Sequence, residues 1–128
     1  MSEATTAAVI EKLTAFTNEG PFGATMPLDA ATNFRWDTVF CFLDRAPIES
    51  INAAVGQSVH LGEDVTGSLM SGATLLIFVD EDDIVDIIVV GPPLYLSGTP
   101  GKAYTPDGAV LVVQTKDPGP YTSLRFKE

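Results

Sequence analysis

Apolar residues recur at helical spacing near the start of the chain. Val9, Ile10, Leu13 and Phe16 fall on one face, which predicts an amphipathic helix over about residues 4–18. Ser2 or Thr5 is placed to cap it, and Gly20-Pro21 stops it. Residues 21–34 are rich in Pro, Gly, Ala and Asn and read as an irregular connection, with a short edge strand over Thr25 to Leu28. The pattern then becomes β: Trp36 to Leu43 combines aromatic and β-branched residues and ends at Asp44-Arg45-Ala46-Pro47. Pro47 suits the first turn of a second helix, about residues 47–55. Ile48, Ile51, Ala54 and Val55 share its face, and Gly56 closes it.

Thr74 to Val79 and Ile84 to Val90 are the strongest strand signals. Only Asp80-Glu81-Asp82-Asp83 separates them, which predicts an antiparallel hairpin. Both runs are almost continuously apolar, as central strands are. Gly91-Pro92-Pro93 ends the second, and Leu94 to Leu96 reads as a short extension. The turn Thr105-Pro106-Asp107-Gly108 joins Lys102–Tyr104 to a strand over Ala109–Thr115. Asp117-Pro118-Gly119-Pro120 breaks the chain before a last strand, Thr122 to Phe126. The order predicts an α+β fold: a single antiparallel sheet of about 4–6 strands with both helices packed on one face. No repeat, low-complexity tract or linker interrupts it, so residues 1–128 read as a single domain. A chain of this length buries a core without help from metals or disulfides.

Charge narrows the function. Seventeen acids oppose seven Lys and Arg, for a net charge of −10. Nucleic acid is excluded as a partner, because affinity for phosphate comes largely from Lys and Arg. An anionic membrane surface repels such a chain. Membrane insertion is not expected either, since no apolar run approaches the ~20 residues that span a bilayer. The charge is also uneven: residues 46–101 hold eight acids and no Lys or Arg, densest at Asp80–Asp86. The first residues lack the basic n-region and apolar core of a signal peptide, which reads as a cytoplasmic protein. Loss of a signal segment would leave the same chain, so a periplasmic or envelope location is the alternative.

Catalytic signals are sparse. Cys41 and His60 are the only cysteine and histidine. A nucleophilic Cys41–His60–carboxylate set is the sharp reading; a buried structural cysteine within Val39-Phe40-Cys41-Phe42-Leu43 is the favoured one. Zinc needs about four ligands, and these two residues supply at most two. Read as a calcium loop from Asp80, the sequence has Val85 where a glycine must turn and Gly91 where a bidentate Glu must bind. Gly98-Thr99-Pro100-Gly101-Lys102 is a turn, without the spacing of a phosphate loop. No catalytic residue, metal or cofactor is assigned. Asp86 is the one acid inside an apolar strand. Alternation sets it on the face of Ile84 and Ile88; a solvent-facing or edge position is the favoured reading and a polar group in a cleft the sharp one.

Phe34-Arg35-Trp36-Asp37-Thr38-Val39-Phe40-Cys41-Phe42, followed by a short helix with a Gly near its end and the run Leu75-Leu76-Ile77-Phe78-Val79, resembles a group of small uncharacterised bacterial proteins. The likeness covers about residues 34–90 and rests on the aromatic-x-Trp-Asp element and the strand spacing. Many members of that group are lipoprotein-like or exported; this chain lacks their lipobox. The resemblance implies the strand–helix–hairpin order and no activity. Asp37 is expected to accept a hydrogen bond from nearby backbone or from Arg35.

The favoured function is a non-catalytic acidic module, inhibitor- or immunity-like, that binds a basic protein through Asp80, Glu81, Asp82, Asp83 and Asp86. The second reading is a small-ligand domain or small enzyme, with a cleft between the sheet and segment 21–34 lined by Phe22, Phe34, Trp36 and Tyr95, and with Asp37 beside them. The third is an envelope-associated accessory protein acting through sheet-edge pairing. Exposed apolar edges would favour a dimer.

Overall fold

In the computed structural model, which describes residues 3–19, 23–32, 34–43, 47–59, 73–90, 94–99, 101–116 and 122–127, one strand is buried on both faces. This is β3 (Thr74–Asp80): Leu75, Ile77 and Val79 enter one core cluster, and Leu76 and Phe78 enter another. Its continuous apolar run is the signature of a strand sandwiched between two layers.

The remaining elements explain both layers. Ahead of β3 come α1 (Glu3–Glu19), β1 (Thr25–Pro27), a 3₁₀ turn at Leu28–Ala31, β2 (Thr38–Phe42) and α2 (Ile48–Val55). After it come β4 (Asp83–Val90), β5 (Leu94–Ser97), β6 (Ala103–Tyr104), β7 (Val110–Lys116) and β8 (Thr122–Phe126). Among the described residues these strands make two four-stranded sheets: sheet A in the order β1-β7-β8-β5, and sheet B in the order β4-β3-β2-β6. The class is α+β with mainly antiparallel pairing, as expected; the β5–β8 pair is parallel. The strands divide into two sheets rather than one. The Thr105–Gly108 turn is one of the places where the chain crosses between them. Gly108 donates its N–H to the Thr105 carbonyl at 3.0 Å, and the chain passes from β6 in sheet B to β7 in sheet A. A hydrogen bond from the Thr74 hydroxyl to the Leu96 carbonyl (2.6 Å) ties the two sheets, as does the stacked pair Tyr104–Phe126 with centroids 4.2 Å apart.

The helices lie on opposite sides of sheet B, not on one face. Val9 and Leu13 of α1 join the core between the sheets, with Val39, Leu76, Phe78, Leu111 and Leu124. Ile51 of α2 joins the outer cluster with Phe42, Leu75 and Ile77. Two faces of β3 need cover, so the helices divide between them. α1 starts ahead of Thr5, which therefore stands in its first turn instead of capping it. Pro47 occupies the N-cap of α2, and its carbonyl accepts the Ile51 N–H at 3.1 Å. Gly56 ends α2 in the left-handed conformation (φ 84°), where a side chain would be strained.

β4 lies at an edge of sheet B. Ser2, Gly20-Pro21, Phe22, Asp44-Arg45-Ala46, His60, Glu63, Asp64, Gly91-Pro92-Pro93, Pro100, the 117–120 break and the Tyr95 side chain lie outside the described residues. Within the described residues no helix is long and apolar enough to cross a membrane.

Candidate functional site

The β3–β4 hairpin places its acids at one end of sheet B. Asp80 pairs with Asp83 across a two-residue turn, Glu81-Asp82. Both turn residues have positive φ, 50° and 70°, the pattern of a type I′ hairpin. That turn matches the twist of the strands but usually calls for Asn and Gly. Glu81 is an unfavourable choice for a left-handed position, so other contacts must hold it.

Asp37 supplies one of them. It stands just ahead of β2, where its N–H donates to the Val79 carbonyl (2.9 Å) and sets the carboxylate beside the turn. Its Oδ2 accepts the backbone N–H of Glu81 at 3.0 Å, and its Oδ1 accepts the Thr38 hydroxyl at 3.1 Å. Asp37 therefore does accept from backbone, but from a residue 44 positions away along the chain. From the other side Gln57, just past α2, donates its side-chain amide to the Asp82 carbonyl at 2.8 Å. Two donor–acceptor contacts from separate elements thus hold the turn.

Arg35 adds a looser contact. Its side chain is 81% exposed and lies 3.6 Å from Asp80 and 3.9 Å from Glu81. Exposed pairs of this kind contribute little to stability. They do consume charge: among the described residues no ion pair reaches Asp82 or Asp83, both exposed.

Asp86 is separated from these acids. A bulge leaves Val85 without a partner, because Val79 pairs with Ile84 while Phe78 pairs with Asp86. The extra residue reverses the alternation, so Asp86 shares the inner face with Phe78 and Ile88 while Ile84 packs on the outer one. Asp86 is only 2% exposed and is not part of a surface patch. Burial raises its carboxyl above the ordinary 3.8, opposed by the hydrogen bond its Oδ1 accepts from the Ile87 N–H at 2.8 Å.

The expected aromatic cleft divides in the same way. Trp36 is buried, donating its indole N–H to the Thr32 hydroxyl at 3.0 Å, and Phe34 is half-buried. Both rings meet Phe78 edge-on, with centroids 5.3 and 5.1 Å away. Trp36 is a core aromatic and Phe34 packs against that core, and together they anchor the segment leading to Asp37. Asp37 itself lines an open cleft of about 350 Å³ between the hairpin and the C-terminal end of α2. Phe40, Val55 and Val79 form the cleft's apolar lining, and Asp37, Asp82 and Gln57 contribute polar groups. Among the described residues no Lys, Arg or His lines it. The helix end adds partial negative charge there, and α2 has no basic residue in its last turn to offset it. Arg35 meets Asp80, the neighbour of Val79, and alternation puts that contact on the other face of the strand. Val55, Gln57 and Phe40 were not singled out from the sequence; only the apolar face of the 47–55 helix hinted at one of them.

Among the described residues no group of three or more His, Cys, Asp or Glu is arranged to hold a metal ion. Cys41 is buried in the inner core, away from solvent. No protein-family model, curated protein or solved structure matches the chain.

Proposed function

We propose that this chain is a non-catalytic protein-binding module that recognises a basic partner through the turn end of sheet B. The observation that carries the reading is the fixed presentation of Glu81 and Asp82 on a two-residue turn held by Asp37 and Gln57, with Asp83 beside it at the start of β4. A surface already ordered before binding loses less freedom on association. An acidic surface on a chain of net −10 also steers a cationic partner into encounter. Kinship with the small bacterial proteins that share the aromatic-x-Trp-Asp element belongs to the same proposal and brings no activity with it.

The test is binding of a Lys/Arg-rich peptide across a salt series, comparing wild type with the triple variant E81Q/D82N/D83N. Wild type is expected to bind at low salt and to weaken steadily as salt rises. The triple variant is expected to lose about tenfold in affinity, equivalent to ~1.4 kcal/mol, with unchanged circular dichroism. Salt-independent binding, or none at low salt, would sink the reading.

A further inference from the structure

We infer that the cleft between the hairpin and α2 is a receptor for one extended basic side chain, Arg or Lys, projected by the partner. The inference rests on the proposed recognition of a basic partner and deepens it, by separating a shaped pocket from a diffuse acidic surface.

Three features of the cleft converge on that occupant. Its apolar lining, Phe40, Val55 and Val79, suits the aliphatic stem that Lys and Arg bury while keeping the charged head among polar groups. Asp37 and Asp82 line the same space and carry negative charge. Neither is engaged by a cation among the described residues, and Arg35 is occupied with Asp80 and Glu81. The third feature is the C-terminal end of α2, whose carbonyl end favours positive charge and whose last turn holds no basic residue. A neutral apolar occupant would leave the two carboxylates without a counter-charge, and an anion would be repelled by them. The occupant that satisfies lining, acids and helix end together is a cation on an apolar stem.

The geometry is also held before binding. The Asp37 carboxylate is fixed by the Glu81 N–H and the Thr38 hydroxyl, and the Gln57 amide spans from α2 to the Asp82 carbonyl. The two walls of the cleft are therefore joined to each other across its edge. A guest side chain enters a formed space, with little ordering of the host.

The experiment uses the full chain, isotope-labelled, titrated with three short Gly/Ser peptides that differ only in a central arginine, lysine or citrulline. Arg and Lys peptides are expected to shift the Val55 methyl and Gln57 side-chain amide resonances saturably. The neutral citrulline peptide is expected to bind about tenfold more weakly. Val55→Lys, which supplies the cleft with its own cation, is expected to abolish those shifts. Ser50→Lys adds the same charge at the exposed start of α2 and is expected to leave them in place. Asp82→Asn, on the exposed turn, is expected to weaken binding severalfold and serves should Val55→Lys not fold.

Two results overturn the cleft while leaving the acidic-module reading intact. One is salt-sensitive shifts confined to Glu81 and Asp83 with Val55 and Gln57 silent. The other is binding by Val55→Lys equal to wild type. Citrulline binding as well as arginine would also overturn the inference, in favour of a neutral small-ligand cleft. No shift with any peptide, together with no binding of the Lys/Arg-rich peptide at low salt, overturns both.

Discussion

The Asp37 carboxylate accepts the backbone N–H of Glu81 at 3.0 Å, tying the approach to β2 to the tip of the β3–β4 hairpin. The bond compensates for a non-glycine residue in the left-handed region at the first position of the turn. Asp37→Ala is expected to cost ~1 kcal/mol in denaturant unfolding, about the net value of one hydrogen bond. Faster amide exchange should accompany it at Glu81, while the amides of Leu76 and Phe78 stay protected. Uniform loss of protection along β3 would show that Asp37 acts on the whole sheet instead.

The same turn has an obvious improvement. Glu81→Asn with Asp82→Gly places the residues preferred at the two positive-φ positions, and is expected to stabilise the fold by ~1 kcal/mol. Removing two acids also relieves repulsion, so unfolding should be followed at low and at high salt. A gain from backbone conformation persists in high salt, where a gain from charge is screened.

Asp86 predicts a pH dependence. Its carboxyl is raised in the folded chain, so between the ordinary 3.8 and its folded value the native state holds the proton more firmly than the unfolded one. Stability from this group is greatest below 3.8, falls as pH rises through that window, and stays lowered above it. Asp86→Asn keeps an oxygen acceptor for the Ile87 N–H and removes the buried charge. The variant is expected to be more stable than wild type at neutral pH, with the difference shrinking as pH falls toward 3.8. Denaturation midpoints measured across that range decide it; a variant less stable at neutral pH would point to a role for the charge that burial alone does not predict.

Gly98 allows the sheets to meet. A Cβ there would come within 2.7 Å of the Phe126 ring and 3.3 Å of the Tyr104 hydroxyl, whose rings stack across the sandwich. The Tyr104 hydroxyl also receives the Thr99 N–H at 3.1 Å, so the ring has little freedom to retreat. Gly98→Ala is expected to cost ~1–3 kcal/mol, the usual range for overpacking. The thermal midpoint measures the loss, and near-ultraviolet dichroism should report a displaced tyrosine.

The two helices, the hairpin and the turn at Thr105–Gly108 follow from short-range patterns. Helical spacing of Val9 and Leu13, Pro47 before Ile48, and an acidic tetrad between two apolar runs are each local signals, and each forms within a few residues of where it is written. The charge concentrated at Asp80–Asp83 was equally legible, because composition counts need no fold.

Pairing, facing and position were decided by tertiary structure. Nothing within β7 or β8 states that they form a second sheet with β1 and β5, since ladder partners are chosen by long-range burial. One bulge at Val85 turned Asp86 from an expected surface acid into a core one, because a single extra residue reverses a period of two. Trp36 and Phe34 carried aromatic chemistry that the sequence could assign to a cleft or to a core, and the ring of Phe78 settled it. Asp37 reads locally as a polar residue after a tryptophan. Its contact with Glu81 exists only because β2 and β3 lie side by side, bringing together atoms that the chain itself keeps far apart.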